Sequence, residues 1–197
     1  MPGPADTDAV ADEALMLLYA GGDMLAFDAL YGRHALRVWR YLLRQVRDSA
    51  VADELLQDVW FAVARQAQRY QPSARFTTWL FTMAHNRMVD HFRTRKQHQS
   101  LDVADTGDAE PACAADALTA DSSLDPLQQL QGSQQASALL LAIEQLPDLQ
   151  RDAFLLQAEA DMSVQEIAQS TGVTFETAKS RLRYARQALR RMLQEFA

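Results

Sequence analysis

The chain has 197 residues, 48% of them hydrophobic, a single cysteine and a formal net charge of −7. That length holds one large domain or two small ones. The longest apolar run, residues 14–20, is too short to cross a bilayer, the acidic N-terminus is unlike a signal peptide, and one cysteine excludes a disulfide framework, so the expectation is a cytoplasmic protein with no membrane insertion.

Residues 1–23 hold five acids and no bases and form an acidic N-terminal segment, with a first helix expected over 9–20. Residues 24–99 hold twelve bases and six acids, a net of +6. Within them the helical period predicts helices over 24–45, 49–69 and 76–96. Phe27, Leu30, Tyr31, His34, Val38, Tyr41 and Leu42 make an apolar stripe on the first of these. Leu55, Leu56, Val59, Trp60 and Val63 do so on the second, and Asp53, Glu54, Gln57 and Asp58 then share its outer face.

Residues 70–75 read as a turn or loop. Residues 74–96 interleave aromatic and basic side chains and end in Arg93, Arg95 and Lys96. That mixture suits single-stranded DNA, whose bases stack on rings while cations track the backbone. Core packing is the alternative for the rings, and Phe81 and Phe92 are expected in the core. Residues 97–132 lack helical periodicity, repeat Asp, and read as an acidic linker, with a short helix possible within 116–130. A flexible chain of that length spans roughly 30–35 Å, so the two domains it joins, 24–96 and 133–197, could reach separate targets.

Helices are expected over 133–146, 148–158, 164–170 and 175–195. Ser163 with Glu166 three residues on makes a capping box, Gly172 supplies a turn, and Thr174 can cap the last helix. This is a helix-turn-helix pattern, whose second helix fits a DNA major groove. Ala178, Leu182, Ala185, Leu189 and Met192 share one side of that helix. Glu176, Ser180, Arg183, Tyr184 and Gln187 point away from it, flanked by Lys179, Arg186, Arg190 and Arg191. Residues 174–193 carry six bases and one acid, a local net of +5 that outweighs the overall charge over a Debye length of about 8 Å.

The blocks just described resemble, in order, a bacterial RNA polymerase sigma factor of the extracytoplasmic-function group of the sigma-70 family. Residues 53–60 look like its core-binding region 2.2. Arg75, Phe76, Thr77, Thr78, Trp79 and Leu80, followed by residues 85–90, look like regions 2.3 and 2.4. Residues 146–151, Glu166, Ile167 and Ala168, and residues 177–182 look like region 4. The chain departs from the family at Glu176 and Ala178, where Gly and Val are frequent. The resemblance implies an all-α protein of two small helical domains that is not an enzyme and carries no cofactor or metal. Its partners would be core RNA polymerase, promoter DNA and an anti-sigma protein, and it would be monomeric when free.

By the same resemblance, Asp53, Glu54, Gln57 and Asp58 would dock on the polymerase clamp. Tyr70, Phe76, Asn86, Arg87, Asp90, Arg93, Arg95 and Lys96 would meet the −10 element as it melts. Glu176, Thr177, Lys179, Ser180, Arg181, Arg183, Tyr184 and Gln187 would read the −35 element. Two rival readings explain less. A one-component repressor predicts a homodimer and a palindromic operator, and leaves the basic-aromatic helix beside an acidic tether unaccounted for. An enzyme needs a catalytic constellation, and His34, His85, His91 and His98 have no cysteine partner to form one. Cys113 sits in the linker and reads as incidental.

Overall fold

A computed structural model describes residues 10–101 and 126–194. The rest of the linker, including Cys113, lies outside the described residues, as do residue 9 of the first expected helix and residue 195 of the last. Among the described residues there is no strand. The elements are α1 (Asp12–Ala20), α2 (Met24–Val46), α3 (Ser49–Gln66) ending in a 3-10 turn (Ala67–Arg69), α4 (Phe76–Leu101), α5 (Pro126–Glu144), α6 (Asp148–Ala160), α7 (Val164–Ser170) and α8 (Phe175–Gln194). Both α4 and α5 run into the segment read as linker, so helix propensity outlasts the loss of an apolar stripe at its two ends. Among the described residues no helix is long and apolar enough to cross a membrane.

The boundaries follow from local chemistry. Asp23 starts α2 by accepting from the Leu25 amide at 3.0 Å, and Asp48 starts α3 by accepting from Ala50 and Val51. Arg47, at φ 59°, turns the chain between them in the left-handed region. Phe76 opens α4, and its amide donates to the Glu13 carboxylate at 2.7 Å. An acid from α1 therefore satisfies one of the orphan donors of that helix start.

Helices α1 to α4 pack around Leu15, Met16, Leu30, Val38, Tyr41, Leu42, Phe76, Leu80 and Phe81, all inaccessible to solvent. The predicted stripes contribute Leu30, Val38, Tyr41 and Leu42 from α2 and the buried Leu55, Val59, Trp60 and Val63 from α3, although Tyr31 remains exposed. Phe92 is only partly buried. Helices α5 to α8 close around Leu155, Leu156, Met162 and Ile167, with Ala178, Leu182, Ala185 and Leu189 from the inner side of α8. Phe76→Ala is expected to lower the stability of the α1–α4 domain by about 3–5 kcal/mol. Thermal unfolding followed by circular dichroism measures it.

The two halves do not stand apart. α6 packs on α2 and α4, and α7 packs on α4. Tyr41 donates to Asp152 at 2.7 Å and Gln45 donates to the same oxygen at 3.0 Å. His85 Nδ1 lies 3.2 Å from the other carboxylate oxygen of Asp152. All four residues are buried. Hydropathy patterning cannot foresee such a contact, because it joins polar side chains far apart in the sequence, Tyr41 and Gln45 each lying more than a hundred residues from Asp152.

Candidate nucleic-acid interface

The outer face of α3 is the first surface to consider. Asp53, Glu54, Gln57 and Asp58 are all exposed. Asp53 is not wholly free, since it accepts from Trp39 Nε1 at 2.7 Å. Beside the acids runs a groove of about 630 Å³, lined by Asp53, Glu54, Gln57, Phe27, Tyr31, Leu56, Trp60, Phe61 and Ala64. Tyr31 packs against Trp60 with the rings tilted at 51° and their centroids 5.0 Å apart, and Phe61 is 55% exposed. The acidic face therefore adjoins an aromatic floor. Sequence reasoning missed that floor by assigning Tyr31 to the core stripe. Phe61 carried the signal: it falls between Val59 and Val63, off the buried side of α3.

The second surface is α4. Its C-terminal half presents Asn86, Asp90, Arg93, Arg95 and Lys96 to solvent, with Arg87 half-buried. Asp90 and Arg93 pair loosely at 3.8 Å, which leaves Arg93 available to a phosphate. Two residues expected here are placed otherwise. Phe76 is fully buried and Tyr70 is 7% exposed. Tyr70 packs on Trp79 at 5.0 Å and Phe76 on Trp79 at 5.9 Å, so the rings turn inward and fix the ends of the 70–75 loop. Burial, with Glu13 and Asp12 near, pushes the Tyr70 phenol up to about 12, and it stays neutral. The exposed part of that loop is Gln71, Pro72, Ser73, Ala74 and Arg75.

The third surface is α8. Ser163 and Glu166 form the capping box of α7, Gly172 sits at φ +65°, and Thr174 accepts from the Thr177 amide at 3.2 Å. This turn sets α7 against α8 as a helix-turn-helix. Glu176, Lys179, Arg183, Tyr184 and Gln187 are exposed, and Thr177, Ser180 and Arg181 half-buried, so all eight expected residues are accessible. They are not loose. The Arg183 guanidinium lies 4.8 Å over the Tyr184 ring and donates to its hydroxyl at 3.1 Å. Lys179 is shared between Glu176 at 3.8 Å and the Phe175 ring. A planar guanidinium stacked on a ring is pre-organised, so it loses less freedom when it pairs with a base edge. Gln150 from α6 joins Glu176, Thr177, Ser180, Arg181 and Tyr184 around a shallow cleft on this face.

Glu166 links α7 to α4. It accepts from Thr78 Oγ1 at 2.6 Å and from the Ser163 amide at 2.8 Å, with Arg75 at 3.8 Å. Burial pushes its carboxyl up, but the bonds from Thr78 and Ser163 and the Arg75 charge outweigh that, and its pKa lies below the ordinary 4.5. The stability it contributes is therefore complete above about pH 4.5 and is lost as pH falls through the folded value. Glu166→Gln is expected to flatten that acid limb of a stability-versus-pH curve.

Residues 30–98 match the sigma-70 region 2 family and residues 136–189 the sigma-70 region 4 family. The chain is 33% identical over 177 residues to the RNA polymerase sigma factor CarQ of Myxococcus xanthus, covering 90% of this chain and 94% of that one. It is 31% identical over 169 residues to the ECF RNA polymerase sigma factor RpoE of Cereibacter sphaeroides, covering 85% and 86%. Its fold is similar to that of the sigma factor RpoE in a complex from Bartonella quintana with the anti-sigma factor NepR. The TM-score there is 0.60 at 20% identity, over 85% of this chain and 96% of that one, a likeness of fold alone. The chain belongs to the sigma-70 family, in its extracytoplasmic-function group. It is an RNA polymerase sigma factor, binding core polymerase and directing promoter recognition for transcription initiation.

Proposed function

We propose that this sigma factor divides its work among three surfaces. Asp53, Glu54, Gln57 and Asp58, with the aromatic groove beside them, dock on core polymerase. An acidic rim would steer a basic partner face, and the rings supply the apolar contact that binding energy concentrates in. Asn86, Arg87, Asp90, Arg93, Arg95 and Lys96 meet the −10 element as it opens, with the backbone and polar side chains of the 70–75 loop offering a place for an unstacked base. The residues of α8 read the −35 duplex: Arg183 or Lys179 can pair with guanine and Glu176 can accept from cytosine.

The observation that carries this reading is the exposure of a basic end of α4 and a basic face of α8 in one chain. The protein performs no chemistry of its own and works in the cytoplasm, where polymerase and chromosome meet. An anti-sigma protein is a further proposed partner, supported by the relative from Bartonella quintana that was solved with one. Run-off transcription with core polymerase on a promoter library tests the reading. The chain is expected to select a small set of start sites, and failure to bind core enzyme at low salt would sink it.

A further inference from the structure

Helix α4 begins without a cap of its own. Arg75 holds the N-cap position, since its carbonyl accepts the first helical bond, from the Trp79 amide at 3.1 Å. Its guanidinium carries donors only and cannot serve the amides that follow. It bonds instead to Asp161 and pairs with Glu166 of the C-terminal domain. The acceptor comes from Glu13, 63 residues earlier in the chain, whose carboxylate takes the Phe76 amide at 2.7 Å. The helix dipole adds to that bond, because a carboxylate is favoured at a helix N-terminus.

Helix α1 precedes the match to the region 2 family, which starts at residue 30. Its place is nevertheless fixed. Leu15 and Met16 are inaccessible to solvent. Asp12 pairs with Arg33 at 2.5 Å and accepts from His34 Nε2 at 2.7 Å, and Arg33 also donates to the Val10 carbonyl at 2.8 Å. Burial lowers the His34 pKa, so the ring that makes this bond is neutral. The same ring packs on Phe76, with centroids 5.4 Å apart. Asp12 therefore anchors α1, and its neighbour Glu13 reaches α4 from a rigid element.

The Glu13 bond stands at one end of the 70–75 loop. Tyr70 closes the other end by packing on Trp79. It contributes no hydrogen bond there, its hydroxyl being buried without a partner among the described residues. Residues 71–75 stand exposed between these two fixed points. A recognition site needs its groups held within about 0.5 Å of the productive geometry, so the setting of the helix start decides what the loop can hold.

We infer that Glu13 is a positioning residue in promoter opening. Its carboxylate sets the first turn of α4, and with it the shape of the loop that receives the unstacked −10 base. It sharpens the choice of that base without touching DNA. The inference rests on the −10 assignment of the loop and α4.

Variants of the full-length chain, assembled with core polymerase, test it on promoters that differ at single −10 positions, compared by permanganate reactivity. Glu13→Ala is expected to reduce the preference for the best −10 base roughly tenfold, the scale of one charge-assisted hydrogen bond. Glu13→Gln should recover most of the preference, because its amide oxygen can accept the same bond. Glu13→Asp keeps the charge but falls one methylene short, and should resemble Glu13→Ala. Core binding, −35 duplex affinity and helix content are expected to stay at the wild-type level in all of them. Should Glu13→Ala fail to fold, Glu13→Asp against Glu13→Gln decides. Wild-type base preference in Glu13→Ala and Glu13→Asp would overturn the inference. So would a loss that falls on every promoter alike and in step with core binding, which marks a merely structural role. Arg93→Ala is the control for the surface itself. If it opens promoters as wild type does, the −10 assignment falls and the inference with it. If it fails to open them while Glu13→Ala keeps wild-type preference, the inference alone falls.

Discussion

Lysine at Asp53, Glu54 and Asp58 together is expected to weaken binding to core RNA polymerase roughly a hundredfold with no loss of helix content. The three carboxylates are exposed on one side of α3. Replacing attraction by like-charge contact costs several kcal/mol, and each 1.4 kcal/mol is about tenfold. Because Asp53 also holds Trp39 Nε1 at 2.7 Å, the Glu54 and Asp58 double reversal is the cleaner variant, leaving that bond intact. It should retain most of the loss. Phe61→Ala, on the groove beside the acids, should weaken binding without any change of charge. Core binding measured against salt separates the two contributions: the lysine variants should lose salt dependence, and Phe61→Ala should keep it.

Arg183→Ala is expected to lower affinity for one −35 duplex and to relax preference at one or two base positions, by about 1–3 kcal/mol of discrimination. Its guanidinium is exposed and braced on Tyr184, so Tyr184→Ala should reproduce part of the effect by freeing the arginine. Arg190→Ala, exposed and further along α8, should instead weaken binding evenly across sequences and reduce the salt slope by about one. Arg93→Ala should leave −35 binding unchanged and impair opening of the −10 region. If −35 affinity falls equally with Arg93→Ala and Arg183→Ala, the division of labour between α4 and α8 is wrong.

Much of this was readable in the sequence, for identifiable reasons. Ser163, Glu166, Gly172 and Thr174 are local signals, each acting within four residues, and the structure uses each as expected. The buried side of α8 follows from spacing alone. The inward turn of Tyr70 and Phe76 was not readable, because an aromatic in a basic-aromatic run suits stacking on a base or on Trp79 equally well. Their fate depends on Glu13 and His34 from distant helices closing over them. The cover of α4 by α6 and α7 was hidden for the same reason: Asp152 and Glu159 look like ordinary solvated acids until Tyr41 and Arg40 are placed opposite them.

Permanganate reactivity of the −10 thymines, on a promoter selected from the library, tests the account most directly. Wild-type chain with core polymerase should make those thymines reactive, Arg93→Ala should not, and Arg183→Ala at saturating protein should still do so. Intact melting with Arg93→Ala, together with its complete loss with Arg183→Ala at saturation, would contradict the account.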